Sequence, residues 1–377
     1  MSLTDRACRA TAHSALAPLA LALLTHATPA MATAYPRMEG GLTAVYQHET
    51  ETGLSDAGAS VDFFAYLPTR RGEWMLHLEA ATAKGSGSLF DLLPEINADA
   101  GTAQDAQGDA RLQISELNYR WNLGTQQNLT LGTIDVAAHL DRSRIANDEN
   151  THFLAPSFVN NPTIEFPDYT LGAMYRRSPG ESMPEITAIV SGSNGLADNP
   201  RRSYGELVDL TDSGKGIFAG LGARWYTRTS TVGVGAWYRS DDHVQLNGAD
   251  DDRHNYGAYA VYEWHSGVHG VTLRAGAARP SVSRASRYLG AAYERLAPLG
   301  ALGIGFGHTF LSDRDRQADR ADTTQVELFY RLALGSENIH VTPALQYLKN
   351  SGFDSAGSIL DAEVLVAAVR FHVFLRN

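Results

Sequence analysis

The 377-residue chain is poor in three things: cysteine, lysine and long apolar runs. Its one cysteine, Cys8, excludes an internal disulfide and any cysteine-based metal site. No stretch approaches the roughly 18 continuous apolar residues of a membrane helix. Lysine occurs only at 84, 215 and 349, so the 31 cationic residues are nearly all arginine. With 42 acidic residues the net charge is −11, which argues against nucleic acid as a partner, since that calls for a basic surface. Catalytic signatures are missing as well. Gly192-Ser193-Asn194-Gly195 lacks the spacing of a nucleophile elbow, no H-E-x-x-H helix occurs, and Gly214-Lys215-Gly216 is not a phosphate-binding loop. No metal site, cofactor or covalent step is expected.

Residues 1–34 have the parts of a secretory signal. Arg6 and Arg9 precede an apolar run over 15–24, and Ala30-Met31-Ala32-Thr33-Ala34 supplies an A-x-A cleavage site before Tyr35. The mature chain is therefore expected to be 35–377, one domain, without Cys8.

That remainder alternates apolar and polar residues in sixteen short stretches. Trp74, Leu76, Leu78 and Ala80 oppose Glu73, His77 and Glu79, and Val326, Leu328, Tyr330 and Leu332 oppose Gln325, Glu327 and Arg331. Period two gives each strand an apolar and a wet face. Connections near 68–72, 123–127, 179–184, 228–230, 266–270, 296–300 and 335–338 are short. Those near 49–58, 84–109, 136–168, 193–215, 241–253, 280–286, 311–321 and 349–361 are mostly longer. An even strand count with tight turns at one end and long loops at the other predicts an all-β fold: a transmembrane up-and-down barrel of about sixteen antiparallel strands in the outer membrane. Closure follows because lipid cannot satisfy an open sheet edge. A soluble β-sandwich also alternates, but does not account for the leader or the loop asymmetry. Aromatic residues near strand ends, such as Trp225, Tyr226, Tyr262 and Trp264, suit interfacial girdles. The apolar phase of Leu112 and Ile114 switches to Leu117, Tyr119 and Trp121, which predicts a bulge near Ser115.

Inward parity nominates Arg120, Arg176, Arg224, Arg239, Arg274, Arg331 and Arg370 as pore-lining, facing Glu79, Glu116, Glu263, Glu327 and Glu363. A planar guanidinium offers paired donors to adjacent hydroxyls, and carboxylates supply acceptors. Trp237, Tyr259 and Phe329 share that parity and are candidates to stack on a permeating solute. The loop 136–168 carries Asp141, Arg142, Arg144, Asn147, Asp148 and Glu149, then an apolar half with Phe153, Leu154 and Phe158. A connection of this length suits a functional segment folded into the lumen as a constriction, or an outward surface loop.

Several runs resemble the carbohydrate-selective porins of the OprB type. They are Leu131-Gly132-Thr133-Ile134-Asp135, Ile145-Ala146-Asn147-Asp148-Glu149, His152-Phe153-Leu154, Phe158-Val159-Asn160-Asn161-Pro162 and Glu327-Leu328-Phe329-Tyr330-Arg331. The resemblance implies a sixteen-stranded barrel passing mono- or oligosaccharides through an arginine- and carboxylate-lined constriction. Outer-membrane lipid, lipopolysaccharide and the barrel assembly machinery would be its partners, with monomer and homotrimer both open. The chain is short for the family and ends Phe374-Leu375-Arg376-Asn377 rather than on an aromatic. An anion or polysaccharide-export channel, or a barrel enzyme, are the competing classes.

Overall fold

The computed structural model describes residues 35–178, 180, 183–199, 201–210, 215–249, 253–315, 321–350 and 363–376. The leader 1–34, the acidic run 250–252 and most of the last long connection lie outside the described residues.

Sixteen antiparallel strands close into one barrel, each paired with its neighbours in sequence and the last with the first. They are β1 (Arg37–Glu49), β2 (Ser55–Thr69), β3 (Gly72–Ala81), β4 (Leu112–Asn122), β5 (Gln127–Ile134), β6 (Thr170–Arg177), β7 (Glu185–Gly192) and β8 (Ile217–Tyr226). The second half is β9 (Ser230–His243), β10 (Arg253–Ser266), β11 (His269–Ala278), β12 (Ala285–Ala297), β13 (Gly300–Leu311), β14 (Thr323–Ala333), β15 (Ile339–Lys349) and β16 (Glu363–Arg376). The seam from Glu39↔Arg376 to Glu49↔Val366 is continuous, so no edge is left unpaired.

The alternation in sequence becomes the two faces of the wall. On β13 and β14, Leu302, Ile304, Phe306 and Leu328 point outward and stay exposed, while Glu327 and Phe329 are buried inside. The predicted irregularity in β4 is present: the pairing with β3 slips between His77 and Leu78, leaving Ser115 as the extra residue. The slip returns Leu117 to the outer face and puts Glu116, Asn118 and Arg120 inside. The β10–β11 turn is a two-residue link in which Gly267 has φ +57°, the left-handed conformation such tight hairpins require. Glu363 is a correction to the sequence reading. It stands an odd number of residues from Arg370, so it faces outward at the start of β16, exposed beside Lys349 at 3.4 Å.

Candidate functional site: a lumen divided by two inward loops

Two long connections fold into the barrel and pack on its inner face. The first, 82–111, contains a single helical turn at Leu89–Leu92 and a 3-10 turn at Pro94–Ile96. Leu89, Phe90, Leu93 and Ile96 bury against Leu348, Val364 and Val366 on β15 and β16. The Ile96 carbonyl accepts from the amides of Gln47 (3.1 Å) and Gln346 (2.9 Å), and the Glu95 carbonyl from Gln325 (3.1 Å). Sequence reasoning took this segment for an ordinary long loop. The signal it missed is the apolar Leu89-Phe90-Asp91-Leu92-Leu93 run within a polar, glycine-rich connection.

The second, 135–169, is the predicted constriction segment, and it lies in the lumen rather than on the surface. Leu140 and Ile164 join a buried cluster with Ile134, Val136, Met174, Ile189, Phe218, Trp237, Tyr259 and Val261. Ile145, Phe153 and Phe158 form another with Ala292 and Phe329. The wall is thinned to receive them. A side chain at Gly305 would put its Cβ 2.9 Å from both the Phe153 and Phe158 rings, and one at Gly276 would run into Thr163 and Asn161. The two loops also meet, the Ala98 N–H donating to the Leu154 carbonyl at 2.8 Å.

Most of the nominated arginines are engaged by this loop. Arg274 donates to the carbonyls of Phe158 and Asp141, both at 2.7 Å, and to the Asn147 side chain. Arg370 forks onto the carbonyls of Glu149 (2.6 Å) and His152 (2.9 Å). Arg224 holds the Arg142 carbonyl at 2.6 Å, Arg331 that of Thr151 at 2.7 Å, and Arg239 that of Glu165 at 3.4 Å. The acidic partners act in the complementary sense. Glu327 accepts from the Leu154 and Ala155 N–H groups at 2.8 and 2.9 Å, Glu263 from Arg144 N–H at 2.6 Å, and Glu116 from Asp135 N–H at 2.9 Å. Charge-assisted bonds of this kind are about twice as strong as neutral ones, and a guanidinium can satisfy two carbonyls at once. Inward parity thus located these side chains correctly but could not say what they touch, because their partners are backbone atoms of a distant loop.

Three nominated aromatics are likewise corrected. Trp237 stacks on Phe218, Tyr259 is buried beneath Leu140, and Phe329 packs edge-on against Phe153, so none has a free face for a solute.

Other nominated groups sit differently. Arg176 donates to His139 Nδ1 at 3.0 Å. Burial, with Arg176 and Arg142 close by, pushes His139 down to about 3, so the imidazole is the neutral acceptor this bond requires. Arg142 pairs with Glu185, Arg120 with Glu73 at 3.0 Å, and Glu79 accepts from Ser115 at 2.7 Å. The Arg144 side chain is exposed. Burial pushes Asp148 up, but the hydrogen bond and charge of His152 outweigh it and hold the carboxyl well below its usual range. Burial and the nearby Asp99 and Asp148 push Glu149 well up.

No anchor of the constriction loop falls on Asp62, Phe64, Tyr66, Glu73 or Arg120 among the described residues. Elsewhere on the β2–β4 wall the inward loops do make contact, Asp99 with Ser60, Tyr169 with the His77 ring and Asp135 with Glu116. That wall is acidic: Asp62, Glu79 and Glu116 on the strands stand near Asp99, Asp135 and Asp168 on the loops. Donor atoms of Asp62, His77 and Glu79 lie within 4.8 Å of one another, close enough to hold a cation. Here His77 Nε2 is bonded to Asp62 at 2.8 Å and its Nδ1 is 3.9 Å from Glu116, an imidazole between two carboxylates. Burial, against the pull of the Ser60 hydroxyl and reinforced by Asp62 and Glu79, pushes Asp99 up to about 7.

That value sets a pH dependence. Asp99 loses its proton as pH rises through about 7, adding negative charge to the lumen. Cation-over-anion permeability is expected to rise between about pH 6 and 8 and to flatten in Asp99→Asn. Reversal potentials in a salt gradient check this, and an unchanged slope in the variant would place Asp99 away from the ion path.

A closed sixteen-stranded barrel narrowed by inward loops is the architecture of a porin. A family model described as carbohydrate-selective porin, OprB family, matches residues 76–374. The chain belongs to that family. A structure of Pseudomonas putida OprB at high pH matches with a TM-score of 0.69 at 11% identity, covering 90% of this chain and 94% of that one. A mutant Rh. blastica porin matches with a TM-score of 0.54 at 13% identity, covering 90% and 100%. At these identities the likeness is one of fold. No curated protein sequence matches the chain.

Proposed function

We propose that the protein is a passive outer-membrane channel for small neutral sugars, mono- or oligosaccharides, without cofactor or covalent step. The observation that carries this reading is the fixed constriction. Two loops are bonded to the inner wall of the barrel, and carboxylates, Arg120 and aromatic rings border the lumen on β2–β4. Such a border offers acceptors and donors to hydroxyls while the loops set the size limit, which is how a pore selects without binding tightly. Neutral sugars fit an acidic border better than anions do, so this reading is favoured over an anion channel.

Swelling of proteoliposomes in a sugar panel tests it. Entry should fall with sugar size, and sugar should reduce ion current in a planar bilayer. Ion current without sugar entry would indicate an ion channel, and no current at all would favour a barrel enzyme. The outer-membrane location carries its own expectation: protein recovered from that membrane should begin at Thr33 or Tyr35, whereas Met1 on inserted protein would reject cleavage of the leader.

A further inference from the structure

Strand pairing brings together on the inner wall three donor side chains that no sequence spacing connects. Asp62 on β2 lies directly opposite Glu79 on β3, and Phe64 opposite His77. One donor atom from each of Asp62, His77 and Glu79 lies within 4.8 Å of the other two. The imidazole is held in place: Phe64 stacks on it at 4.1 Å and 13°, Tyr169 of the constriction loop meets it edge-on at 5.8 Å, and only 6% of its side chain is exposed. Its two nitrogens are mismatched to their surroundings. The Asp62 carboxylate can only accept, so Nε2 carries the proton that bonds it at 2.8 Å. In the neutral imidazole Nδ1 is then a bare acceptor, enclosed, without a hydrogen-bond partner, and facing the Glu116 carboxylate at 3.9 Å. Glu79 turns Oε2 to Ser115 (2.7 Å) and Gln113 (3.2 Å), while its Oε1 has no hydrogen bond among the described residues. Nor does an arginine or lysine among the described residues pair with Asp62, Glu79 or Glu116.

We propose that Asp62, His77 and Glu79 form a binding site for a divalent transition-metal cation of the zinc type. Mixed nitrogen and carboxylate donors suit zinc, whereas calcium and magnesium prefer oxygen alone. Donors about 2.0–2.2 Å from zinc stand roughly 3.4 Å apart in a tetrahedron. That separation falls between the 2.8 Å of the Asp62–His77 contact and the 4.8 Å span of the trio. On binding, the metal takes the place of the proton on Nε2, the imidazole keeps its proton on Nδ1 instead, and that N–H points at Glu116. The ring then has a donor where it now has an orphaned acceptor, and a carboxylate behind a ligating histidine is the usual outer partner in such sites. Glu116 in turn accepts the Asp135 N–H at 2.9 Å, which ties the site to the start of the constriction loop. The Asp62 side chain, 20% exposed, is the side from which the ion enters. The site does not depend on which solute the channel passes.

Calorimetric titration of the full protein in detergent tests it, with zinc, calcium and magnesium chlorides as probes. Zinc should bind saturably, one ion per barrel, and more tightly than either alternative. His77→Phe, which keeps a ring against Phe64, and Glu79→Gln, which keeps the side chain's size, should each abolish saturable zinc binding. Glu116→Gln should weaken it about 10- to 100-fold, as loss of an outer partner does. Should His77→Phe fail to fold, Glu79→Gln decides the matter. In planar bilayers bound zinc adds positive charge to an acidic lumen, so zinc should lower cation-over-anion permeability in the wild type and not in Glu79→Gln. No saturable zinc binding by the wild type, or equal zinc affinity in the wild type and both ligand variants, would overturn the site. Calcium binding as tight as that of zinc and untouched by His77→Phe would reduce the cluster to carboxylate screening, and the proposal would fall with it.

Discussion

Replacing Arg274 and Arg370 together by alanine is expected to enlarge the channel: higher and noisier single-channel conductance, and entry of sugars too large for the wild type. Both guanidinium groups are almost wholly buried, and each satisfies two loop carbonyls. Removing one leaves two buried acceptors without a donor, a penalty of roughly 2–6 kcal/mol if each costs about 1–3 kcal/mol. The carbonyls of Asp141, Glu149, His152 and Phe158 sit at successive points along the loop, so the double variant frees its middle rather than one end. Water entering the lumen offers those carbonyls an alternative partner only if the loop leaves the wall, and that departure is what conductance reads. Arg274→Lys should show part of the effect, because an ammonium has no fixed fork to span the Asp141 and Phe158 carbonyls. A folded double variant with wild-type conductance would mean that the apolar seat of Phe153, Phe158 and Leu140 holds the loop without the arginines.

This expectation differs from the one the sequence suggests. Read by parity alone, Arg239 and Arg331 look like solute contacts. They bind the carbonyls of Glu165 and Thr151 instead. Parity is legible in sequence because it depends only on the two-residue repeat of a strand, which is why the sixteen strands, the Ser115 bulge and, Glu363 aside, the inward set were readable. Partners across the lumen are not, since the contacts between Arg370 and residues 149–152 join atoms more than 200 positions apart through a loop of irregular backbone. Gly220 and Gly222 on β8 and Gly303, Gly305 and Gly307 on β13 leave room along the wall, and what fills much of it is visible only once Leu140 and Phe158 are placed. Phe64 was obscured for a simpler reason: Phe63 beside it is equally apolar, so β2 alternates poorly there.

The other large effect separates two adjacent residues. Leu328 is the middle residue of β14, 42% exposed on the outer face, with Ile304 and Leu345 as its cross-strand neighbours on an unbroken apolar band. Leu328→Arg places a charge where the hydrocarbon is deepest and should cost roughly 2–4 kcal/mol of folding free energy in a bilayer, with little change in the conductance of molecules that do insert. Its neighbour Glu327 faces the lumen, fully buried, and receives the Leu154 and Ala155 N–H groups. Glu327→Ala should therefore leave the barrel able to insert but loosen the constriction, because two buried N–H groups lose their acceptor. Denaturant titration of protein refolded into lipid vesicles measures the first effect, and single-channel recording the second. A Leu328→Arg protein as stable in lipid as the wild type would place that face against something other than hydrocarbon, such as a wet cleft between barrels. Reversed phenotypes for the pair would invert the assignment of the two faces of the wall, on which every inward contact described above depends.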